Sequence, residues 1–214
     1  EAVRRRYWAR SVVGWAWLKR REPNAAHYAV AELERRGIVA GVVTQNVDGL
    51  HQASGSRRVI DLHGRLARAI CLDCGAVEDR DALQERMLRR NPGWDAIVAE
   101  MAPDGDADLE EATIGRFEVP GCTRCGGVMK PDVVFFGENV PRSRVDEAFA
   151  LQHEVDSLLV LGSSLAVFSG FRFVLEAHAR GQPVAIVNRG KTRGDRFAAV
   201  RIDASLEETL ATLP

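Results

Sequence analysis

Apolar residues fall into short continuous runs along this chain, with little strict alternation. Runs of strand length cover residues 38–44, 58–62, 132–136, 157–161, 183–187 and 198–202. Continuous apolar runs of this length mark strands covered on both faces, as in a parallel sheet. Helical spacing separates them. Residues 24–36 carry Ala25, Tyr28, Ala29 and Leu33 near helical spacing, with Asn24 as N-cap and Gly37 as stop. Residues 143–154 and 170–180 also read as helices, the second halted by Gly181 and Pro183. An arginine-rich helical pattern opens the chain. Strand–helix–strand alternation predicts a doubly wound parallel α/β sheet.

The stretch from Cys71 to Cys125 breaks that rhythm. It is acidic and rich in turn residues, with Asn91-Pro92-Gly93 and Pro103-Asp104-Gly105-Asp106, and it predicts one helix over 79–90. We read residues 71–127 as an inserted module between two parts of one α/β domain, residues 1–70 and 128–214.

Composition adds exclusions. With 214 residues, 46% hydrophobic and 28% charged, the chain can bury a core without disulfides. A net charge of −1 gives no global signal for nucleic acid or membrane as a partner. No apolar run reaches the roughly 18 residues of a membrane-spanning helix, and no secretory leader is read. Charge is uneven: residues 1–36 are basic and residues 73–118 acidic, which predicts distinct surfaces or modules.

All four cysteines fall in two knuckles of one form, Cys71-Leu72-Asp73-Cys74-Gly75 and Cys122-Thr123-Arg124-Cys125-Gly126. Two such pairs suit one tetrahedral four-thiolate Zn²⁺ site, closed and therefore structural. Two disulfides, free core thiols and a redox pair are the alternatives.

Three small-polar segments follow predicted strands: residues 44–51, 61–64 and 161–164. Open α/β sheets bind ligands at the carboxyl ends of their strands. His63, at such an end, is a candidate general base, or else a hydrogen-bonded structural histidine. Gly162-Ser163-Ser164 suits a phosphate or ribose, and Asn188, in Val187-Asn188-Arg189-Gly190, a ribose hydroxyl. No GxGxxG is present. These residues describe a nucleotide-binding enzyme without fixing its reaction.

Several motifs together resemble the sirtuins, NAD-dependent protein deacylases. They are Thr-Gln-Asn-Val-Asp-Gly-Leu-His at 44–51, Leu-His-Gly at 62–64, the two knuckles, Lys-Pro-Asp-Val-Val-Phe-Phe-Gly-Glu at 130–138, Leu-Gly-Ser-Ser at 161–164 and Val-Asn at 187–188. Arg6-Tyr7-Trp8-Ala9-Arg10, Ala102-Pro103-Asp104-Gly105-Asp106 and Ser169-Gly170-Phe171-Arg172-Phe173 look like the class II group, which includes the mitochondrial sirtuin four.

The resemblance implies a Rossmann-like sheet, lacking its first strand, with an inserted zinc ribbon. It implies NAD as co-substrate and one structural Zn²⁺ held by Cys71, Cys74, Cys122 and Cys125. His63 would be the base, taking a proton from the ribose of NAD, with Asn46 and Asp48 as catalytic companions. Gln45, Asn46, Val47 and Asp48 would line the nicotinamide–ribose pocket. Gly162, Ser163 and Ser164 would hold the phosphate–ribose portion, Asn188, Arg189 and Gly190 the adenosine side, and Leu206 the adenine. Val133, Phe135, Phe136, Gly137 and Glu138 would receive an acyl-lysine peptide by β-augmentation. The implied products are free lysine, nicotinamide and O-acyl-ADP-ribose. A monomer in the bacterial cytoplasm, or the mitochondrial matrix of a eukaryote, fits this reading.

The chain departs from the family at its start. It begins at Glu1, and neither a Gly-Ala-Gly-Ile-Ser turn nor a Pro-Asp-Phe-Arg-like loop occurs. The expectation is that a few dozen residues are absent, and that this chain by itself binds NAD poorly and is marginally stable. Protein mono-ADP-ribosyl transfer and an inactive zinc-ribbon binding module are the competing functions.

Overall fold

The computed structural model describes residues 1–97 and 107–212. The predicted turn at 103–106 and the motif at 102–106 therefore lie outside the described residues.

In chain order the elements are α1 (Ala2–Leu18), α2 (Ala25–Arg35), β1 (Val42–Thr44), α3 (Leu50–Ala53), β2 (Val59–Asp61), β3 (Gly64–Cys71), β4 (Val77–Asp79) and α4 (Arg80–Arg90). There follow α5 (Glu111–Ile114), β5 (Met129–Val133), α6 (Arg142–His153), β6 (Leu158–Leu161), α7 (Phe168–Ala179), β7 (Val184–Val187), β8 (Val200–Ile202) and α8 (Leu206–Ala211).

These elements form two compact units, Glu1–Glu22 with Gly64–Val133, and Pro23–His63 with Val134–Pro214. The boundaries differ from the three ranges read from sequence, because the first helix groups with the cysteine-bearing segment.

In that cysteine-bearing unit, α1 presents Trp8, Ala9, Val12 and Trp15 on one side, the spacing of a helical face. Trp8, Ala9 and Val12 pack with Ala69, Leu83, Met87, Phe117 and Met129. The indole of Trp8 donates to the Met129 carbonyl at 3.1 Å, and that of Trp94 to the Ala9 carbonyl at 3.2 Å, so both buried N–H groups are satisfied. Buried Arg80 stacks under Trp15 and Trp8, 4.8 and 5.4 Å from the ring centroids. It donates to Gln84 and to the Ser11 carbonyl and hydroxyl. Burial pushes it down to about 10, still charged at neutral pH. The charge asymmetry of the sequence becomes a set of pairs: Arg6 with Glu111, Arg10 with Asp108 at 3.8 Å, and Lys19 with Asp81 at 2.8 Å.

The sheet of this unit is antiparallel, in the order β4-β3-β5. The predicted parallel strand at 132–136 is corrected accordingly. Strand β5 ends at Val133 and pairs antiparallel with β3. Pro131 is tolerated because β5 is an edge strand.

The other unit carries the expected parallel pairing: β1 with β2, and β6-β7-β8. Each strand is shorter than its apolar run. Helices α6 and α7 supply Ala148, Leu151 and Phe173 to a core with Ile60 and Leu62. A second core joins Phe171, Val174, Val184 and Ile186, and a third joins α2 to Leu210 of α8. Helix α2 begins where its cap predicts: the Asn24 side chain accepts from the His27 amide, and His27 Nδ1 accepts from the Asn24 amide. Its buried face is Ala26, Val30 and Leu33, with Tyr28 exposed, one step from the face read from sequence.

Candidate active site and metal centre

The Rossmann-type ends of the parallel strands carry most of the chemically suited residues. Strand β1 ends at Thr44, whose hydroxyl accepts from the Asn46 amide at 3.1 Å. Asp48 accepts from the Leu50 amide at 3.0 Å, and Gly49, in the left-handed region, leads into α3. Val47 sits between them in the same loop.

His63 lies in the two-residue turn after β2. Its Nδ1 lies 3.0 Å from the Gln45 carbonyl and its Nε2 lies 2.8 Å from the Ser169 hydroxyl. A carbonyl can only accept, so Nδ1 carries the proton and Nε2 presents its lone pair. Burial of the half-buried ring pushes its pKa below the ordinary histidine value, against the opposing pull of the Gln45 carbonyl. The result is a neutral imidazole, oriented, with its basic nitrogen held near a hydroxyl. His51 is likewise pushed down, chiefly by burial and then by neighbouring His27.

Strand β6 ends at Leu161, and Gly162 follows it with φ near 60° and its amide donating to the Val187 carbonyl at 3.0 Å. A Cβ there would stand 3.0 Å from Leu206, at the start of α8, so a side chain would crowd this cradle. Ser163 accepts from the Leu165 amide and Ser164 from the Ala166 amide. Leu165 is left-handed at φ 57°, a strain of order 1–3 kcal/mol that its buried side chain and the Ser163 contact hold in place. At the end of adjacent β7, Asn188 donates to the Arg189 and Gly190 carbonyls, and the Gly190 amide donates to Asp203.

The peptide-binding candidates do not form one strand. Val133 closes β5 in the cysteine-bearing unit, while Phe135 to Glu138 belong to the parallel-sheet unit. There the Phe135 amide donates to the Glu138 carboxylate at 3.0 Å, making a turn through Phe136 and Gly137. Phe136 is almost wholly exposed, at 98%.

The four cysteine sulfurs gather within 4.8 Å of one another. Cys71 and Cys125 sulfurs are 3.6 Å apart, and Cys74 and Cys122 sulfurs 3.8 Å. A disulfide needs about 2.05 Å, so neither pair is bridged. Tetrahedral Zn–S bonds of about 2.3 Å require sulfurs about 3.8 Å apart, which these distances fit. Backbone amides of Arg124 and Gly127 donate to the Cys122 and Cys125 sulfurs. The Ala76 amide draws the Cys74 thiol down to about 6. At Cys125 the Gly127 amide favours the thiolate, but the Cys74 and Cys71 sulfurs outweigh it and push the thiol up to about 12. Four thiolates this close repel, and a divalent cation removes the conflict.

One participant, Ser169, was visible in sequence only as part of a motif, with no role attached. Nothing in its spacing signals one, since its partner is 106 positions away.

Known proteins resemble this chain over most of its length. The Sir2 family model matches residues 2–169. The chain is 53% identical over 211 residues to NAD-dependent protein deacetylase 1 of Streptomyces coelicolor, spanning 99% of this chain and 71% of that protein. It is 51% identical over 212 residues to the NAD-dependent protein deacetylase of Xanthomonas axonopodis pv. citri, spanning 99% and 72%. Among solved structures, a Sir2–p53 peptide–NAD⁺ complex superposes with a TM-score of 0.71 at 30% identity, over 91% of this chain and 70% of that one. A Sir2 bound to acetylated peptide gives a TM-score of 0.72 at 29% identity, over 91% and 70%. The extent of the family match and the identity to these relatives establish that the chain belongs to the Sir2 family, the sirtuins.

Proposed function

We propose that the protein is an NAD-dependent protein-lysine deacylase, acting on acetyl-lysine peptides. The observation that carries this reading is His63: neutral, fixed in one tautomer, and held after a strand end by the carbonyl of Gln45, whose side chain accepts from Ser163 of the cradle loop. The naming of the relatives as NAD-dependent protein deacetylases supports it.

The parallel-sheet unit fits NAD by its own chemistry. Gly162 offers a turn that a Cβ would crowd, and Ser163 and Ser164 offer hydroxyls beside it. Asn188, Arg189 and Gly190 stand at the neighbouring strand end, suited to the adenosine side, with Leu206 against Gly162 for the adenine. When bound, NAD supplies an electrophilic ribose carbon and the ribose hydroxyls. Gln45, Asn46, Val47 and Asp48 would then border the nicotinamide–ribose portion. Asn46 and Asp48 would present fixed dipoles and charge where positive charge develops. His63 Nε2 would accept the proton of a ribose hydroxyl, and its imidazolium would be steadied through Nδ1–H by the Gln45 carbonyl. The exposed Phe135 and Phe136, with Gly137 and Glu138, are the residues of the parallel-sheet unit that we assign to acyl-lysine peptide binding. With one water consumed, nicotinamide, free lysine and O-acyl-ADP-ribose are the products of this scheme.

Cys71, Cys74, Cys122 and Cys125 would hold one Zn²⁺ in a closed, structural role. Unbridged clustered thiols also suit a reducing compartment such as the bacterial cytoplasm. The Arg6–Arg10 and Ser169–Phe173 motifs support assignment to the class II sirtuins.

The test is nicotinamide release from NAD by the purified chain, with and without an acetyl-lysine peptide. Release that needs the peptide and falls at least about 100-fold in His63→Ala supports the reading. Release indifferent to the peptide or to the substitution overturns it.

A further inference from the structure

Around the base runs a directed set of side-chain hydrogen bonds. The Ser163 hydroxyl donates to Gln45 Oε1 at 3.4 Å. Gln45 Nε2 donates to the Ser169 hydroxyl oxygen at 3.2 Å. The Ser169 oxygen lies 2.8 Å from His63 Nε2. The circuit closes where His63 Nδ1–H donates to the Gln45 carbonyl at 3.0 Å. Direction follows from donor chemistry. Gln45 points its NH₂ into Ser169, so the Ser169 proton is left for the imidazole lone pair. Ser169 itself is buried at 7% exposure and sits in the first turn of α7. The next residue is Gly170, where a Cβ would stand 2.7 Å from Gln45 Oε1. The backbone of α7 is thus shaped to let the Gln45 amide lie between the two serines.

We propose that Ser169 is a positioning residue for His63, holding Nε2 as an acceptor, and that Gln45 couples this hold to Ser163 in the cradle loop. The inference rests on the reading of His63 as the base. A hydroxyl bound at Nε2 occupies the place where a substrate hydroxyl would be deprotonated, so Ser169 keeps the empty site in the reactive tautomer. Binding would exchange one hydroxyl for another at the same nitrogen. Among the described residues, the charged side chains on the neighbouring elements have other partners. Asp48, in the loop after β1, is engaged with the Leu50 amide. Asp61, on β2, accepts from Gln52. Arg172, on α7, lies over the Phe168 ring at 5.2 Å.

The test is nitrogen-15 NMR of the imidazoles in the full chain without NAD, with His63 assigned by its loss in His63→Gln. In the native chain the His63 Nε2 resonance should show a hydrogen-bonded acceptor and Nδ1 a protonated nitrogen. In Ser169→Ala the Nε2 signal should move downfield to an unbonded lone pair, and the His63 titration midpoint should rise. Ser169→Thr, which keeps the hydroxyl, should restore both. His27, His153 and His178 signals should stay unchanged, reporting an intact fold. An unmoved His63 Nε2 signal and midpoint in Ser169→Ala overturn the proposal, as does loss of the native signature in Ser169→Thr with the other histidines undisturbed. The measurement needs no turnover, so an inactive native chain would count against the deacylase reading and leave this result standing on its own.

Discussion

His63 has two nitrogens with different partners, and the difference is what makes it a base. The Gln45 carbonyl accepts a hydrogen bond from Nδ1–H, while burial works against the charged ring. The sign of the pH dependence follows. A histidine whose folded pKa is depressed favours folding above its unfolded value and loses that contribution as pH falls through the folded one. Acid should therefore weaken the fold and silence the base over the same range. The acid limb of kcat/KM should titrate below the ordinary histidine value of about 6.5, and a limb at or above it would contradict the stated environment. His51 is pushed in the same direction, chiefly by burial, so it adds to the acid sensitivity of stability.

At the scale of elements, capping and edge chemistry decide the outcome. Asn24 and His27 form a reciprocal cap on α2, and Asn24→Ala should cost about 1 kcal/mol, read as a lower urea midpoint with an unchanged slope. Much of this level was legible. Asn24, Gly37, Gly181 and the apolar runs marked α2, α7 and the parallel strands within a few residues, because caps and continuous burial act locally. Strand β3 was not legible. Gly64 to Cys71 holds Gly64, two Arg and two Ala, residues with little intrinsic strand preference, and one of its two partners is the distant β5. Strand β5 was misplaced because Pro131 and Asp132 hide a strand that only its edge position permits. The hydrogen-bond circuit of Ser163, Gln45, Ser169 and His63 was not legible either, since three loops and the first turn of α7 must meet before it exists.

At the scale of the molecule, two units divide the chemistry. The parallel-sheet unit holds His63 and the cradle, and the other holds the cysteine cluster. The cysteine pattern was readable at once, because two knuckles leave few chemical options. The placement of α1 was not, since Trp8, Ala9 and Val12 find partners between 57 and 121 positions away. Their core packs against Cys71 and Cys122, so metal loading and folding should be linked there. We expect one zinc per chain by elemental analysis, and loss of it in Cys71→Ser together with a lower melting temperature. A chain that is metal-free as purified and melts identically with a chelator would refute this. The measurement that bears most directly on the whole account is nicotinamide release from NAD in the presence of an acetyl-lysine peptide, compared between the native chain and His63→Ala. The account predicts peptide-dependent release that drops at least about 100-fold in the variant while its melting curve stays cooperative. Equal release by a folded His63→Ala chain would contradict it.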